Sequence, residues 1–488
     1  MRKRIGMTRL TGLAAVLLAT AALAQGTGGR TTHQYPDGAV YEGTMRDGVP
    51  HGTGTYSLPS GYVYEGDWID GARTGAARVT FVDGSVYEGG VRAGQPHGRG
   101  QIALLDGSTI IGTWRDGTLE GTATATYADG SVYQGEFLDN ARHGHGVWTR
   151  PDGYRYEGGW ENGLRSGTAT IAYPDGSVYE GEMRSDRRNG EGQLVMTDGF
   201  TYSGSWIDGQ MSGFGRVTYV NGDVYTGVLV QGLREGNGKL VYATSDVYEG
   251  AFRNDRRHGI GTFRGTDGYL YDGEWVDGAH HGKGRLVYPD GSIYEGAFRD
   301  NLPHGAGRIT YPGGDSFDGD WVAGVIDGTG VSRRADGQVY EGGFADGQRH
   351  GEGVLTTPDG YRYEGGWDAG VQNGAGEVVY PDGSRYVGTF RNGLFHGSGR
   401  FQTPDGFVYE GAWRDGEMTG TGTATYATGD VYQGGFENGQ RAGEGVLRYA
   451  TGEVRRGVWA NGALVVPALS PPSAAPDGSG PTIGDDAE

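Results

Sequence analysis

Histidine is the residue of this chain whose spacing can be compared most directly with known chemistry. Eight histidines recur at multiples of 23 residues: His51, His97, His143, His258, His281, His304, His350 and His396. If each 23-residue unit contributes two strands ~4.8 Å apart, equivalent histidines lie ~10 to 20 Å apart. Zinc ligands must lie within about 2.3 Å of one ion, so these histidines cannot share a metal. We predict loop histidines and no metal site.

Other residue types that could take part in chemistry also follow the 23-residue period. Asp-Gly pairs recur once per 23-residue unit, and one aspartate per hairpin gives only weak support for a calcium site. Gly-x-Gly runs such as 52–54 are not followed by a helix whose N-terminus could bind a phosphate. The chain has no cysteine, which excludes disulfides and a thiolate nucleophile. No acid pair, Ser/His/Asp set or lysine stands apart from the repeat, although an active site normally breaks regularity. We predict no catalytic residue, no cofactor and no enzymatic activity.

Aromatic residues offer a different kind of site. Counting each repeated tyrosine as position 0, tryptophan occupies +4 in alternate copies, and Tyr or Phe tends to accompany it at −2. This alternation slips once, between Leu229 and Phe252. The pattern fits alternating large and small packing in a thin core, and it also fits a groove of aromatic platforms for sugars or partner side chains. The ligand- or partner-facing candidates are Tyr62, Trp68, Trp114, Tyr154, Trp160, Trp206, Tyr269, Trp275, Trp321, Tyr361, Trp367 and Trp413.

The secondary structure that would position these side chains can be predicted from the repeat itself. Nineteen copies follow one another without insertion, from the copy that opens at Tyr41 to the copy that opens at Arg455. Position +7 is Gly, Asn or Asp throughout, which indicates a turn residue with φ > 0. Asp-Gly at +19 and +20 predicts a second turn. Between the turns we predict one strand from about −2 to +4 and another from about +12 to +18. Hairpins are marginal alone, so we expect them to stack in an array.

These residues resemble the MORN (membrane occupation and recognition nexus) repeat. Tyr, Gly at +2, Trp at +4, Gly at +7, +11 and +13, and Asp-Gly at +19 and +20 are all present in 363–383 and again in 271–291. The resemblance covers residues 38 to about 462 and suggests a bacterial exported MORN-repeat protein. It implies an all-β, elongated, single-layer stack of antiparallel β-hairpins, often with a groove. It also implies roles as scaffolds, dimerisation arms or membrane-proximal adaptors, with lipid binding proposed for some members.

The two ends of the chain differ from the array. Residues 1–24 combine a basic start, the apolar stretch Leu10 to Leu23 and Ala22-Leu23-Ala24, as in a cleaved signal peptide; retention as an anchor is the alternative. We therefore predict a signal peptide at 1–24, a short lead-in at 25–37, the repeat array at 38–465 and a disordered acidic tail rich in Pro, Ser and Ala at 466–488. No other segment approaches a membrane span.

Charge limits the partners. Cleavage would remove four of the 41 basic residues and none of the 61 acidic ones, leaving a net charge of −24 that repels nucleic acid and anionic lipid. We predict a non-catalytic exported scaffold, periplasmic or secreted, that binds a protein partner or itself. The alternative is a cell-envelope module that binds glycan or lipid in a Tyr/Trp-lined groove.

Overall fold

Two turns in each 23-residue repeat reverse the chain twice, so strands must follow one another in antiparallel order. The computed structural model describes residues 29–467 and contains thirty-nine β-strands and no helix in that range. Nineteen repeats supply two strands each, and one strand precedes the first repeat. The predicted all-β fold of antiparallel hairpins is confirmed. The predicted signal peptide at 1–24 and nearly all of the predicted tail at 466–488 lie outside the described residues.

The strands fall into two compact units, divided between Arg257 and His258. The strands of the first unit are β1 (Thr31–Gln34), β2 (Val40–Arg46), β3 (Val49–Ser57), β4 (Val63–Ile69), β5 (Ala72–Thr80), β6 (Val86–Arg92), β7 (Gln95–Ala103), β8 (Thr109–Arg115), β9 (Thr118–Thr126), β10 (Val132–Leu138), β11 (Ala141–Thr149), β12 (Arg155–Glu161), β13 (Leu164–Ala172), β14 (Val178–Arg184), β15 (Arg187–Val195), β16 (Thr201–Ile207), β17 (Gln210–Thr218), β18 (Val224–Val230), β19 (Leu233–Val241) and β20 (Val247–Arg253). The remaining strands, of which the first lies mostly in the second unit, are β21 (Arg256–Arg264), β22 (Leu270–Val276), β23 (Ala279–Val287), β24 (Ile293–Arg299), β25 (Leu302–Thr310), β26 (Ser316–Val322), β27 (Val325–Arg333), β28 (Val339–Ala345), β29 (Gln348–Thr356), β30 (Arg362–Asp368), β31 (Val371–Val379), β32 (Arg385–Arg391), β33 (Leu394–Gln402), β34 (Val408–Arg414), β35 (Glu417–Thr425), β36 (Val431–Glu437), β37 (Gln440–Arg448), β38 (Val454–Ala460) and β39 (Ala463–Pro467). Within each unit consecutive strands pair antiparallel, as in β3 with β4 and β25 with β26.

The tight turn at +6 and +7 closes each hairpin. In the first repeat Asp47 and Gly48 both have positive φ, 49° and 80°, which is the backbone of a type I′ turn. The four non-glycine residues at +7, Asn140, Asp186, Asp255 and Asn301, have φ between 64° and 70°. The predicted turn with positive φ at +7 is therefore confirmed.

The second strand of the repeat begins earlier than predicted. It covers +8 to +16, as in β3, rather than +12 to +18. The glycine at +11, Gly52, has positive φ (83°) but lies in a β-bulge, not at a strand end. Gly43 pairs with Gly54 and Met45 pairs with Pro50, so the two strands remain paired on both sides of the bulge.

The second turn uses the Asp-Gly pair differently from the first. Gly84 has φ of 83° and donates its N–H to the Phe81 carbonyl at 2.9 Å, while the Asp83 carboxylate accepts the N–H of Ser85 at 3.0 Å. A short side-chain acceptor and a residue that tolerates positive φ are what this turn requires. All turns of this type therefore lie along one edge of each unit's sheet, and the type I′ turns lie along the other edge.

One face of the sheet carries the core. Along β4, Tyr64 and Trp68 are buried, whereas Glu65 and Ile69 on the opposite face are exposed. In the second strand of the repeat the buried side chain is at +15, as in Val79 and Ile102. The core is one side chain deep, which explains how a chain with 100 glycines folds with few large apolar residues.

Candidate functional site

The tyrosine that opens a repeat packs onto the glycines of its own hairpin. The Tyr87 hydroxyl donates a 2.8 Å hydrogen bond to the Gly90 carbonyl, and its ring lies against Gly89 and Gly100. Burial raises the pKa of the Tyr87 phenol to about 12. The same hydroxyl-to-carbonyl bond recurs from Tyr41 to Tyr432, so these hydroxyls hold the hairpins rather than face solvent.

The tryptophans at +4 join one repeat to the next. Trp114 donates its indole N–H to the Gly100 carbonyl of the preceding repeat at 3.3 Å, and its ring packs edge-on to Tyr87 at 5.6 Å between centroids. All nine +4 tryptophans are only 1–7% exposed. An indole buried to this degree presents no face on which a sugar could stack.

The twelve aromatic residues predicted to face a ligand or partner therefore occupy two environments. Eight are buried +4 tryptophans: Trp68, Trp114, Trp160, Trp206, Trp275, Trp321, Trp367 and Trp413. Of the four −2 tyrosines, Tyr154 is buried, whereas Tyr62, Tyr269 and Tyr361 are half-buried. Of these twelve residues, Tyr62, Tyr269 and Tyr361 therefore present the most ring surface.

Several −2 tyrosines are bridged to the residue at +9 of the same repeat. The Tyr154 hydroxyl accepts a hydrogen bond from Arg165 at 2.7 Å, and the Tyr361 hydroxyl accepts one from Gln372 at 2.8 Å. Arg73 makes the same contact with Tyr62. In two of these bridges the guanidinium carbon also lies over the tyrosine that opens the repeat, at 5.8 Å from the Tyr64 ring centroid for Arg73 and 5.7 Å from the Tyr156 ring centroid for Arg165.

The arginines at +9 also lie over aromatic rings. The guanidinium carbon of Arg142 lies 4.1 Å from the Trp160 ring centroid, a distance at which cation–π attraction is substantial. Where the following repeat carries Asp at +7, that carboxylate pairs with the arginine, as Asp186 does with the Nε of Arg165 at 3.0 Å. This coupling was not predicted from the sequence, although the spacing of 21 residues between the two charges is visible there.

The eight recurring histidines at +10 lie in the second strand of the repeat, as His51 does in β3, so the prediction of loop histidines is wrong. They lie near the edge that carries the type I′ turns. The Nδ1 of His51 lies 3.3 Å from the Asp70 carboxylate of the next repeat, which also pairs with Arg46. The hydrogen bond from Arg46 holds the pKa of the Asp70 carboxyl below its usual range, and His51 adds to the effect. His97 and Asp116 repeat the arrangement. Between residues 29 and 467 no three potential metal ligands cluster together.

Large apolar side chains recur in solvent at the same edge. We call the following thirteen residues, which occupy +5 or +8 beside the type I′ turns and are 36–56% exposed, the apolar margin: Val49, Ile69, Leu138, Leu164, Ile207, Val230, Leu233, Val276, Leu302, Val322, Val325, Val371 and Leu394. The side chain at +8 extends over the turn of the next repeat, since a methyl group on Gly324 would lie 3.5 Å from Leu302. The margin was not predicted from the sequence, because the predicted strands end at about +4 and begin again at about +12.

The repeats match one known family. The MORN repeat model matches eighteen segments of the chain: 41–61, 64–86, 87–109, 111–132, 133–153, 156–178, 179–201, 202–224, 225–247, 248–268, 271–293, 294–316, 317–339, 340–360, 363–385, 386–408, 409–431 and 432–454. The chain belongs to the MORN repeat family. The MORN matches end before the copy that opens at Arg455, which nonetheless forms β38 and β39.

Solved structures give only remote likeness to this MORN array. The SAS-4 TCP domain of Drosophila melanogaster, in complex with a proline-rich motif of Ana2, is 13% identical, with 44% of this chain and 99% of that chain covered and a TM-score of 0.18. The CPAP TCP10 domain of Danio rerio, in complex with a STIL peptide, is 14% identical, with 60% and 100% covered and a TM-score of 0.15. Virginiamycin B lyase from Staphylococcus aureus is 11% identical, with 59% and 90% covered and a TM-score of 0.11.

No curated protein matches the chain. Likeness at these TM-scores carries no argument about function. Within residues 29–467 there is also no helix long and apolar enough to cross a bilayer.

Proposed function

We propose that this chain is a non-catalytic, exported MORN scaffold that binds protein partners, or a second copy of itself, along its repeats. The observation that carries the proposal is the apolar margin. Exposed apolar side chains scattered singly need no explanation, but a row that recurs along one edge is typical of an interaction surface. Its members occur in eleven of the nineteen repeats, always at one of the two positions that flank the type I′ turn.

The margin is built so that a partner could span several repeats. Ile207 and Val230 are both at +5, in successive hairpins of the first unit, and Leu233 lies directly across the turn from Val230. Val322 and Val325 form the same cross-turn pair in the second unit. Each contact is small, so affinity would come from repetition along the edge.

A scaffold role also agrees with the distribution of ion pairs and buried polar groups over the repeats. The ion pairs at the rim, such as Arg92 with Asp116, repeat between copies rather than converge on one point. The core hydroxyls and indole N–H groups are bonded to backbone carbonyls, as in Tyr87 and Trp114. Export to the periplasm or medium rests on the signal-like segment at 1–24.

Site-specific photo-cross-linking in cells tests the proposal. A benzoylphenylalanine placed at Ile207 or Val322 should capture a protein, or a second copy of the chain. The matched control is the same group at Val82 or Leu105, which lie at the opposite edge and are 65% and 80% exposed. Adducts from the margin positions and not from the controls would support the scaffold. Equal capture from both edges, or none from the margin, would contradict it.

A further inference from the structure

An open recess in the first unit lies on the core face, around the repeat that opens at Tyr202. It has a volume of about 450 Å³ and is open to solvent. Trp206 forms part of its floor, and Met196, Phe200 and Met211 are half-buried along its walls. The guanidinium of Arg188 lies at one side. The recess thus combines an apolar interior with a cation.

The recess exists because the bridge found in other repeats cannot form here. At −2 this repeat has Phe200 rather than tyrosine, and at +9 it has Met211 rather than a hydrogen-bond donor. In the equivalent place of the second unit, the Tyr361 hydroxyl and Gln372 are joined at 2.8 Å across the core face. Phe200 and Met211 leave that span open.

The cation in the recess has no carboxylate partner. Arg188 lies 4.1 Å from the centroid of the Trp206 ring, and within residues 29–467 it forms no ion pair. The position that supplies Asp186 to Arg165 is here occupied by Gly209. Arginine stays protonated in proteins, so a half-buried guanidinium on an indole favours an incoming anion. The carboxylate of Asp198, at the rim, accepts the backbone N–H of Phe200 instead.

We propose that this recess binds an extended peptide segment of a protein partner, with a large apolar side chain between Phe200 and Met211 and a carboxylate on Arg188. Side chains on one face of an extended segment recur every second residue, so the acidic residue stands two positions from the apolar one. The inference rests on the proposed function, because it requires that the chain bind proteins.

The lining favours a peptide over a free anionic amphiphile. Two methionines line the walls, and flexible thioether side chains suit surfaces that accept varied apolar side chains. Gln210 and Gln231, which are exposed at the rim, offer amide donors and acceptors to a peptide backbone. An alkyl chain would leave both amides unused.

Selection of a displayed library of random twelve-residue peptides on the purified protein tests the proposal. Enriched peptides should carry Asp or Glu two residues from Phe, Leu, Met or Trp. Synthetic copies of them should bind Arg188→Gln about tenfold or more weakly, the usual consequence of losing a charge-assisted hydrogen bond. Thermal unfolding of the variant should stay cooperative, with a midpoint close to that of Arg349→Gln, which loses a cation–π contact of the same kind.

Two further variants make the result specific. Arg349→Gln is the matched control, because Arg349 lies 5.0 Å from the Trp367 ring beside the bridged pair Tyr361 and Gln372. Binding should be unchanged in it. Phe200→Tyr combined with Met211→Gln installs the bridge while keeping Arg188, and it should abolish binding.

Several outcomes would overturn the inference. These are enriched peptides without an acidic residue, equal binding by Arg188→Gln, equal loss in Arg349→Gln, and full binding by the bridged double variant. Binding of fluorescent decanoate that depends on Arg188, with no peptide enriched, would replace the peptide by an amphiphile.

The scaffold proposal can be separated from this inference. Cross-links from the apolar margin that persist in Arg188→Gln, without Arg188-dependent peptides, would leave the scaffold standing and remove the recess. Arg188-dependent peptides without any margin cross-link would do the reverse.

Discussion

The ring of Tyr363 fills the space beside Gly376 so completely that a methyl group on that glycine would lie 2.7 Å from the phenol oxygen and 2.9 Å from the ring. Real side-chain carbons do not approach so closely. In this repeat the ring of Tyr363 leaves no room for a side chain at +13, and the φ of Gly376 plays no part. The same close contact recurs in other repeats with glycine at +13, as in Tyr87 with Gly100, whereas Ala77 and Ala169 occupy +13 in two repeats that also open with tyrosine.

Adding a methyl group at this contact should destabilise the array. We expect Gly376→Ala to cost about 1–3 kcal/mol, the usual range for overpacking, because the Tyr363 ring must move. Thermal unfolding followed by circular dichroism, with hydrogen exchange of residues 362–379, measures the effect. The control is Gly313→Ala, where a methyl group would meet nothing within 4 Å. Equal loss in both variants would show that the tyrosine contact is not the cause.

The non-glycine residues at +7 should show a graded response. Asp186 has φ of 69°, and its carboxylate accepts the backbone N–H of Arg165 at 2.9 Å. Asp186→Ala should cost about 1–2 kcal/mol, because it loses the acceptor and keeps a strained backbone. Asp186→Gly should cost less, since glycine relieves the strain. Asp186→Asn keeps the acceptor and loses only the partly exposed ion pair with Arg165, so it should cost less than about 1 kcal/mol. Hydrogen exchange of 164–187 gives the order, and a larger loss for Gly than for Ala would contradict it.

High pH should unfold the array through its buried phenols. Burial raises the pKa of Tyr87, Tyr179 and Tyr202 to about 12, against about 10 in an unfolded chain. The unfolded state thus releases protons from pH ~10 upward while the folded state does not, so stability is unchanged below pH ~10 and falls between pH ~10 and ~12.

The test of this pH dependence is absorbance at 295 nm and circular dichroism measured together from pH 8 to 12.5. Ionisation of most tyrosines should follow loss of the β signal, with a midpoint above that of the chain in guanidinium. Full ionisation near pH 10 with the β signal intact would show that these phenols are exposed.

Much of the fold could be predicted because residue types that favour a turn occur at the positions where the antiparallel strands must reverse. Gly, Asn and Asp at +7 indicated positive φ, and Asn140 and Asp186 have it. The start of the second strand could not be predicted in the same way. Gly52 at +11 has the positive φ of a turn, but pairing of Met45 with Pro50 beyond it keeps the strand going. Only the partner strand distinguishes a bulge from a turn.

The candidate sites were harder to predict than the fold. Arg188 and Arg349 both occupy +9, and each is followed by Trp at +4 of the next repeat. These two positions alone do not distinguish an arginine in a binding site from one that only packs on the core. What separates them is whether residues −2 and +9 of the next repeat are bonded across the face, as Tyr361 and Gln372 are. The margin at +5 and +8 likewise becomes visible only once the turn between those positions is fixed.

Acrylamide quenching of tryptophan fluorescence tests whether the tryptophans at +4 belong to the core, so that binding is left to other surfaces. Nine of the ten tryptophans lie at +4 and are buried; Trp148, which is half-buried, can be changed to Phe. We expect quenching far below that of the same protein in guanidinium, and we expect cell-envelope glycan to leave it unaltered. Quenching close to the unfolded value, and protection when glycan is added, would contradict this expectation and make the tryptophans a ligand platform.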